Sequence, residues 1–337
     1  MAEITHRFVE ANGIRIHCAE AGEGPLVLLC HGFPESWYSW RHQLKALAEA
    51  GYHAVAPDMR GYGQTDRPEA IEAYTLFHLV GDMVGLTEAL GADRAVVIGH
   101  DWGAPVAWHC ALFRPDRFRG VAALSVPFRP RGRVRPTTVM PQTERSWFYQ
   151  LYFQEPGVAE AELERDPRAA IRRLLYSASG DVPRRNPVDA PGDAAPGMVP
   201  REAGFLSRMV DPPTLPAWLA EADIDVYAGE FASAGFRGGL NWYRNIDRNW
   251  ELMAPFAGLK VTVPALYVAG DLDLVVGFTG AEKLIASLKQ HVADLRGIVM
   301  LPGCGHWTQQ ERPEEVNAAL LGFLRGLDGA SPDGEAD

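Results

Sequence analysis

Val96-Val97-Ile98-Gly99-His100-Asp101-Trp102-Gly103 is the stretch on which the reading of this 337-residue chain turns. Three β-branched residues lead into Gly-x-Asp-x-Gly, and an amphipathic pattern from Ala104 to Phe113 follows. That order describes a buried strand, a sharp turn and a helix, with glycines where the backbone must cross itself closely. Such a turn holds one side chain up at the end of a sheet as a nucleophile. The bland alternative is an ordinary turn aspartate. If Asp101 is the nucleophile, its identity sets the chemistry. A serine that displaces a group from an alkyl carbon leaves an ether, which water does not readily cleave. A carboxylate leaves an ester, which water can hydrolyse. The aspartate therefore points to displacement at sp³ carbon.

Working outward, strands and helices alternate as in a parallel sheet. Strands are predicted at Leu26–Cys30, His53–Ala56, Ala95–Ile98 and Val121–Leu124. Helices are predicted at Trp40–Ala50, Leu76–Leu90 and Ala104–Phe113, with Gly51 and Gly91 just past two of them. From about Pro127 to Trp250 the alternation breaks, and the chain becomes rich in Arg, Pro, Trp and Tyr with helical periodicity. It resumes with strands at Ala265–Ala269 and Ile298–Leu301 and a helix at Glu314–Leu327. The division expected is an α/β core in two parts, residues 1–128 and 251–328, interrupted by a helical cap at 129–250. A disordered tail is expected at 329–337. Asp181 to Pro200, rich in Pro, Gly and Ala, reads as a long surface loop. The whole is an α/β-hydrolase arrangement with a mostly parallel sheet.

In that arrangement the nucleophile is followed in sequence by an acid and then a histidine. Gly270-Asp271-Leu272-Asp273 follows one late strand, and Gly303-Cys304-Gly305-His306-Trp307 follows the next. His306 is the expected general base, and Asp273 the acid that fixes its tautomer. Asp271 competes for that place. Leu274-Val275-Val276, which resembles the segment after the catalytic acid in this fold, favours Asp273. Hydrolysis of an ester on Asp101 builds an oxyanion, which two backbone N–H groups can stabilise by about 3 kcal/mol each. Trp102, just past the nucleophile, and Phe33 in His31-Gly32-Phe33-Pro34 are the expected donors. The insert supplies tyrosines in aromatic surroundings, at Trp147-Phe148-Tyr149-Gln150-Leu151-Tyr152-Phe153 and Asn241-Trp242-Tyr243-Arg244-Asn245. A phenol can protonate an alkoxide as it forms, which is what opening a strained cyclic ether requires.

These residues carry a resemblance. His31 to Arg41, Gly99 to Gly103, Tyr149 to Gly157, Asn241 to Asn245 and Gly305 to Thr308 resemble the soluble epoxide hydrolases, from about Arg7 to Leu327. The match is to the hydrolase domain of the mammalian enzyme and to its plant and actinobacterial relatives. The resemblance implies Asp101 as nucleophile, His306 as base and Asp273 as its partner. It also implies Tyr149 and Tyr243 as the pair that grips the epoxide oxygen, with Tyr152 the near miss. Phe33, Trp102, Tyr152 and Trp242 are expected to line the substrate. The products would be vicinal diols. No cofactor or metal is implied, and no counterpart of the mammalian protein's N-terminal phosphatase domain is expected. A haloalkane dehalogenase would share Asp, His and acid. A departing halide, however, calls for Trp or Asn N–H donors rather than paired phenols, and Phe33 offers no side-chain donor. A catalytically silent ligand receptor on the same fold is the rival from another class, and the intact triad argues against it.

Composition narrows the field further. The net charge of −11 leaves no electrostatic footprint for nucleic acid. Between residues 128 and 250 sixteen arginines balance sixteen acidic residues with no lysine, so the flanking sequence carries the whole net charge. Four of those arginines, Arg129, Arg131, Arg133 and Arg135, alternate along the entry to the cap. They are expected either to pair with core carboxylates or to meet an anionic substrate tail. The apolar runs are strand-sized, and the first residues do not form a signal peptide. Cys18, Cys30, Cys110 and Cys304 show no metal or CxxC spacing and read as reduced thiols of a cytoplasmic protein. The partners expected are a small-molecule epoxide and water, with oligomeric state left open.

Overall fold

The computed structural model describes residues 2–183, 193 and 195–329. An eight-stranded sheet organises them. Its strands are β1 (Thr5–Ala11), β2 (Ile14–Ala21), β3 (Leu26–Cys30), β4 (His53–Pro57), β5 (Ala95–His100), β6 (Phe118–Leu124), β9 (Val261–Gly270) and β10 (Val292–Leu301). The spatial order is β1-β2-β4-β3-β5-β6-β9-β10. The β1–β2 and β2–β4 pairs are antiparallel and the rest are parallel. The α/β-hydrolase reading is therefore correct, and each of the six predicted strands is present.

Two strands of this sheet escaped the sequence reading. β1 lies at the sheet edge and is mostly exposed, so its pattern has no apolar run. β2 pairs with it across the Asn12-Gly13 turn. Central strands behave differently because helices cover both faces. In β5, Val96 and Ile98 pack with α1 (Arg41–Glu49) and α13 (Pro313–Asp328). Ala95 and Val97 face the layer holding α2 (Leu76–Ala89) and α3 (Gly103–Phe113). An apolar run results, not an alternation.

Between β6 and β9 the described residues add nothing to the main sheet. It forms α4 (Tyr149–Tyr152), α5 (Val158–Leu163), α6 (Pro167–Ser177), α7 (Glu221–Ala234), α8 (Arg237–Arg244) and α9 (Ile246–Leu252). It also forms a two-stranded antiparallel sheet, β7 (Ser146–Phe148) with β8 (Met198–Pro200), which helical periodicity did not predict. Half of the long loop expected at 181–200, residues 184–192 and 194, lies outside the described residues, and its described C-terminal end is β8. Buried Met198 and Val199 pair with Phe148 and Trp147 there. After β9 come α10 (Ala281–Ala286) and α11 (Leu288–His291), and after β10 come α12 (Thr308–Glu311) and α13. The predicted tail lies outside the described residues, Gly329 apart. Among those described, no helix is long and apolar enough to cross a membrane.

Candidate active site

Asp101 stands at the turn from β5 into α3 with φ of 49°. A non-glycine residue adopts this left-handed conformation at a cost of about 1–2 kcal/mol. Its surroundings are built for that turn. A Cβ on Gly99 would lie 2.0 Å from the Gly103 carbonyl oxygen, and one on Gly103 would lie 2.0 Å from that of Cys30. A Cβ on Gly32 would lie 2.4 Å from the Asp101 side chain itself. Alanine at any of the three would push the elbow out of place.

The loops after β3, β9 and β10 converge on this aspartate. The Phe33 N–H donates to Asp101 Oδ1 at 2.8 Å. His306 Nε2 lies 3.5 Å from Asp101 Oδ2. On the other side of the ring, His306 Nδ1 meets Asp273 Oδ1 at 2.9 Å. Burial would push His306 down, but the Asp273 and Asp101 carboxylates flanking the ring raise it well above the ordinary histidine range. Burial would likewise raise Asp273. The His306 charge and hydrogen bond, with the nearby Ser125 hydroxyl and the Val275 N–H, outweigh it and hold the carboxyl below the usual range. Asp271, the competing acid, is exposed and accepts from the Gly303 N–H at 2.8 Å, which shapes the histidine loop instead.

The tyrosines come from the insert. The Tyr149 and Tyr243 rings meet edge to face with centroids 5.9 Å apart. Tyr243 also stands edge-on to Trp102 at 5.1 Å and to Phe33 at 5.6 Å. Both hydroxyls are raised by burial, with the charge of Asp101 adding to it, so both keep their protons at neutral pH. Gln150 Nε2 donates to the Tyr149 hydroxyl at 3.1 Å. Tyr152 is turned to another task, its hydroxyl donating to Glu162 at 2.7 Å. Trp242 is fully buried, and its indole N–H donates to the Arg60 carbonyl at 3.1 Å. Trp102 occupies the N-cap position of α3.

The insert seats on the core through backbone. A Cβ on Gly238 in α8 would lie 2.0 Å from the Gly61 carbonyl oxygen, so no side chain separates that helix from the loop after β4. The His306 N–H donates to Ala178 at 2.9 Å, and the Trp307 indole donates to Leu175 at 2.7 Å. The arginine run is used away from the main sheet. Arg131 stacks on Trp250 and donates to its carbonyl, and Arg135 pairs with Glu251 and Asp247. The two carboxylates that engage Arg135, and the Trp250 that engages Arg131, thus sit on α9.

A supporting network was missed in the sequence. Glu35 is completely buried, accepts from the Gly32 N–H at 2.9 Å and meets His100 Nδ1 at 2.7 Å. His100 Nε2 in turn donates to the His306 carbonyl at 2.7 Å. Burial would raise Glu35, but the His100 charge and its hydrogen bond, with His31 and the Gly32 N–H, hold it down at about 2. His31 Nδ1 donates to the Gly32 carbonyl at 2.9 Å, and Nε2 accepts from the Met59 N–H at 2.9 Å, which fixes a neutral tautomer. The signal available was a glutamate and a histidine at the ends of two fully apolar strands. Ser125 was missed too; its Oγ lies 3.1 Å from His306 Nδ1. The four cysteines are buried and free. Among the described residues no His, Cys, Asp and Glu cluster could hold a metal ion.

Residues 25–313 match the α/β hydrolase fold family. Epoxide hydrolase A of Mycobacterium tuberculosis is 48% identical over 334 residues, which cover 97% of this chain and 99% of that protein. The mouse bifunctional epoxide hydrolase 2 is 41% identical over 329 residues, 96% of this chain and 56% of the mouse protein. The solved structure of an epoxide hydrolase from an endophytic Streptomyces superposes with a TM-score of 0.91 at 46% identity, covering 97% of this chain and 96% of that one. An aspartate elbow flanked by a buried histidine and acid, in a sequence this close to enzymes of one activity, places the chain: it belongs to the epoxide hydrolases of the α/β-hydrolase fold.

Proposed function

We propose that the chain converts epoxides to vicinal diols through a covalent ester on Asp101, beneath a helical cap formed by residues 129–250. The observation that carries this reading is the division of labour between the two oxygens of Asp101. Oδ1 accepts the Phe33 N–H, and Oδ2 is the oxygen turned to His306. Oδ2 attacks an epoxide carbon, the ring C–O bond breaks, and the electrons leave on oxygen. Tyr149 or Tyr243 protonates that alkoxide. The buried phenols stay neutral until the alkoxide forms, so they serve as acids in this step only.

Esterification then switches the histidine on. One of the two carboxylates that raise His306 is now uncharged, so the imidazolium gives up its proton, which balances the one taken from the phenol. Neutral His306, with Asp273 on Nδ1, accepts a proton at Nε2 from water attacking the ester carbonyl. The former Oδ1 becomes an oxyanion held by the Phe33 N–H, with Trp102 as the second donor. Collapse breaks the C–O bond to the product, whose alkoxide takes the remaining hydroxyl proton of the intermediate, so the diol leaves with Asp101 again a carboxylate and His306 an imidazolium. Phe33 and Trp102 offer apolar surface to the substrate, and Tyr152 and Trp242 support it from behind.

The test is a single turnover of styrene oxide in heavy-oxygen water. The diol from the first turnover carries unlabelled oxygen from Asp101, and the label appears in the Asp101 peptide. Label in the diol on that first turnover would exclude the ester.

A further inference from the structure

Three described non-glycine residues have a left-handed backbone: Asn12 in an exposed turn, the nucleophile Asp101, and Ser125. Ser125 is fully buried, follows the last residue of β6 and has φ of 70°. The neighbouring strand β9 imposes this. The Ser125 N–H donates to Val268 at 2.8 Å, and the Tyr267 hydroxyl donates to the Ser125 carbonyl at 2.7 Å. Strain over-determined in this way belongs with function more often than chance allows. Its product here is the placement of Oγ 3.1 Å from His306 Nδ1.

Asp273 holds the ring, which packs against His100 and Trp307, through a single oxygen. Its Oδ1 serves both His306 and the Val275 N–H, and its Oδ2 is buried without a hydrogen-bond partner. One contact to one oxygen fixes a point on the imidazole, not its plane. A hydroxyl approaching Nδ1 from β6 supplies a second direction and favours the tautomer that carries its proton on Nδ1. We infer that Ser125 is a positioning residue for His306 that serves ester hydrolysis and leaves ester formation alone. The inference rests on the two-step reading above. Alkylation moves no proton at His306, whereas hydrolysis requires Nε2 to be aimed at water.

The experiment is rapid-quench single turnover with styrene oxide, followed by mass of the Asp101 peptide, on the intact chain. In Ser125→Ala, decay of the ester slows about tenfold, the worth of one hydrogen bond to a charged group, while its formation stays within about twofold. Ser125→Gly suits φ of 70°, so it melts no lower than Ser125→Ala yet is equally slow. Ser125→Asn tolerates the backbone and restores an acceptor, so it recovers most of the rate. A glycine variant with full ester decay, or an alanine variant slowed equally in both steps, overturns the inference. His306→Gln run alongside separates the two readings. An ester trapped there with normal decay in Ser125→Ala refutes the role of Ser125 alone. No ester trapped there refutes the two-step reading.

Discussion

The strand-end side of the site and the helical side are held by different forces. Around Asp101, Asp273 and His306 the contacts are hydrogen bonds from backbone, at 2.8 Å from Phe33, 2.9 Å from Val275 and 2.9 Å to Ala178. Around Tyr149 and Tyr243 the contacts are ring edges, with Phe153 centroids 5.6 and 5.0 Å away, and one side-chain hydrogen bond from Gln150 to Tyr149. Backbone hydrogen bonds fix position to a few tenths of an ångström. Aromatic contacts are weaker and tolerate sliding. Attack on carbon and attack by water need fixed geometry, whereas a proton donor must follow an epoxide oxygen whose position varies with the substrate. The rigid groups are on strand ends and the adaptable ones on the insert.

That contrast breaks if the two sides respond alike to substitution. The largest effect is expected on the rigid side. Asp101→Ala should lower diol formation on the order of 10⁴-fold or more, and His306→Gln should form the ester but not release it. Intact-mass measurement after one equivalent of styrene oxide reads both, and full turnover by either variant sinks the mechanism. On the adaptable side, Tyr149→Phe and Tyr243→Phe should each slow ring opening by about 10²-fold. The double variant should lose far more, because either phenol can partly cover for the other. Tyr152→Phe should stay near wild type, since its hydroxyl is spent on Glu162. A damaging Tyr152→Phe with a silent Tyr149→Phe would reverse the assignment.

Smaller effects sharpen the same line. Glu35 is depressed from an ordinary 4.5 to about 2. Its stabilisation is complete above pH 4.5 and is lost as pH falls toward 2. Glu35→Gln should therefore flatten acid unfolding in that window and cost on the order of 3 kcal/mol at neutral pH, because His100 is left buried without its partner. Denaturant midpoints across the pH range measure it, and an unchanged acid limb would contradict the pairing. At the other extreme, Arg135→Gln should change stability by about 0.5 kcal/mol or less, since that pair is exposed. A raised KM for an epoxy fatty acid but not its methyl ester would give the arginine run a part in binding.

What could be read from residues follows the same division. Strand ends declare themselves because burial on both faces makes central strands such as β3 and β5 apolar, and because glycines mark the close approaches at Gly99, Gly103 and Gly305. Tyr149 and Tyr243 were nameable only through resemblance. Aromatic helix segments look alike whether they form core or site, and without that resemblance only three-dimensional packing separates Tyr149 from Tyr152. Glu35 and His100 were hidden because their partners are 65 residues apart in the chain. Ser125 gave no signal at all, since a left-handed serine at the end of a strand has the same letter as any other. β1 was invisible because an exposed edge strand has no pattern to detect.

The place of the insert in the sheet has a consequence for evolution. β6 and β9 are parallel neighbours, so everything between them is, in topological terms, one enlarged crossover connection. Lengthening a connection raises its closure entropy only as the logarithm of its length, and it alters neither the order nor the direction of the strands. Residues 126–260 can thus be exchanged between relatives as a cassette that leaves Ser125 at the end of β6. Such an exchange replaces both phenols and the walls around them, yet Asp101, Asp273 and His306 remain on their own side of the graft. Selectivity can then drift quickly by recombination while the hydrolytic machinery is inherited unchanged.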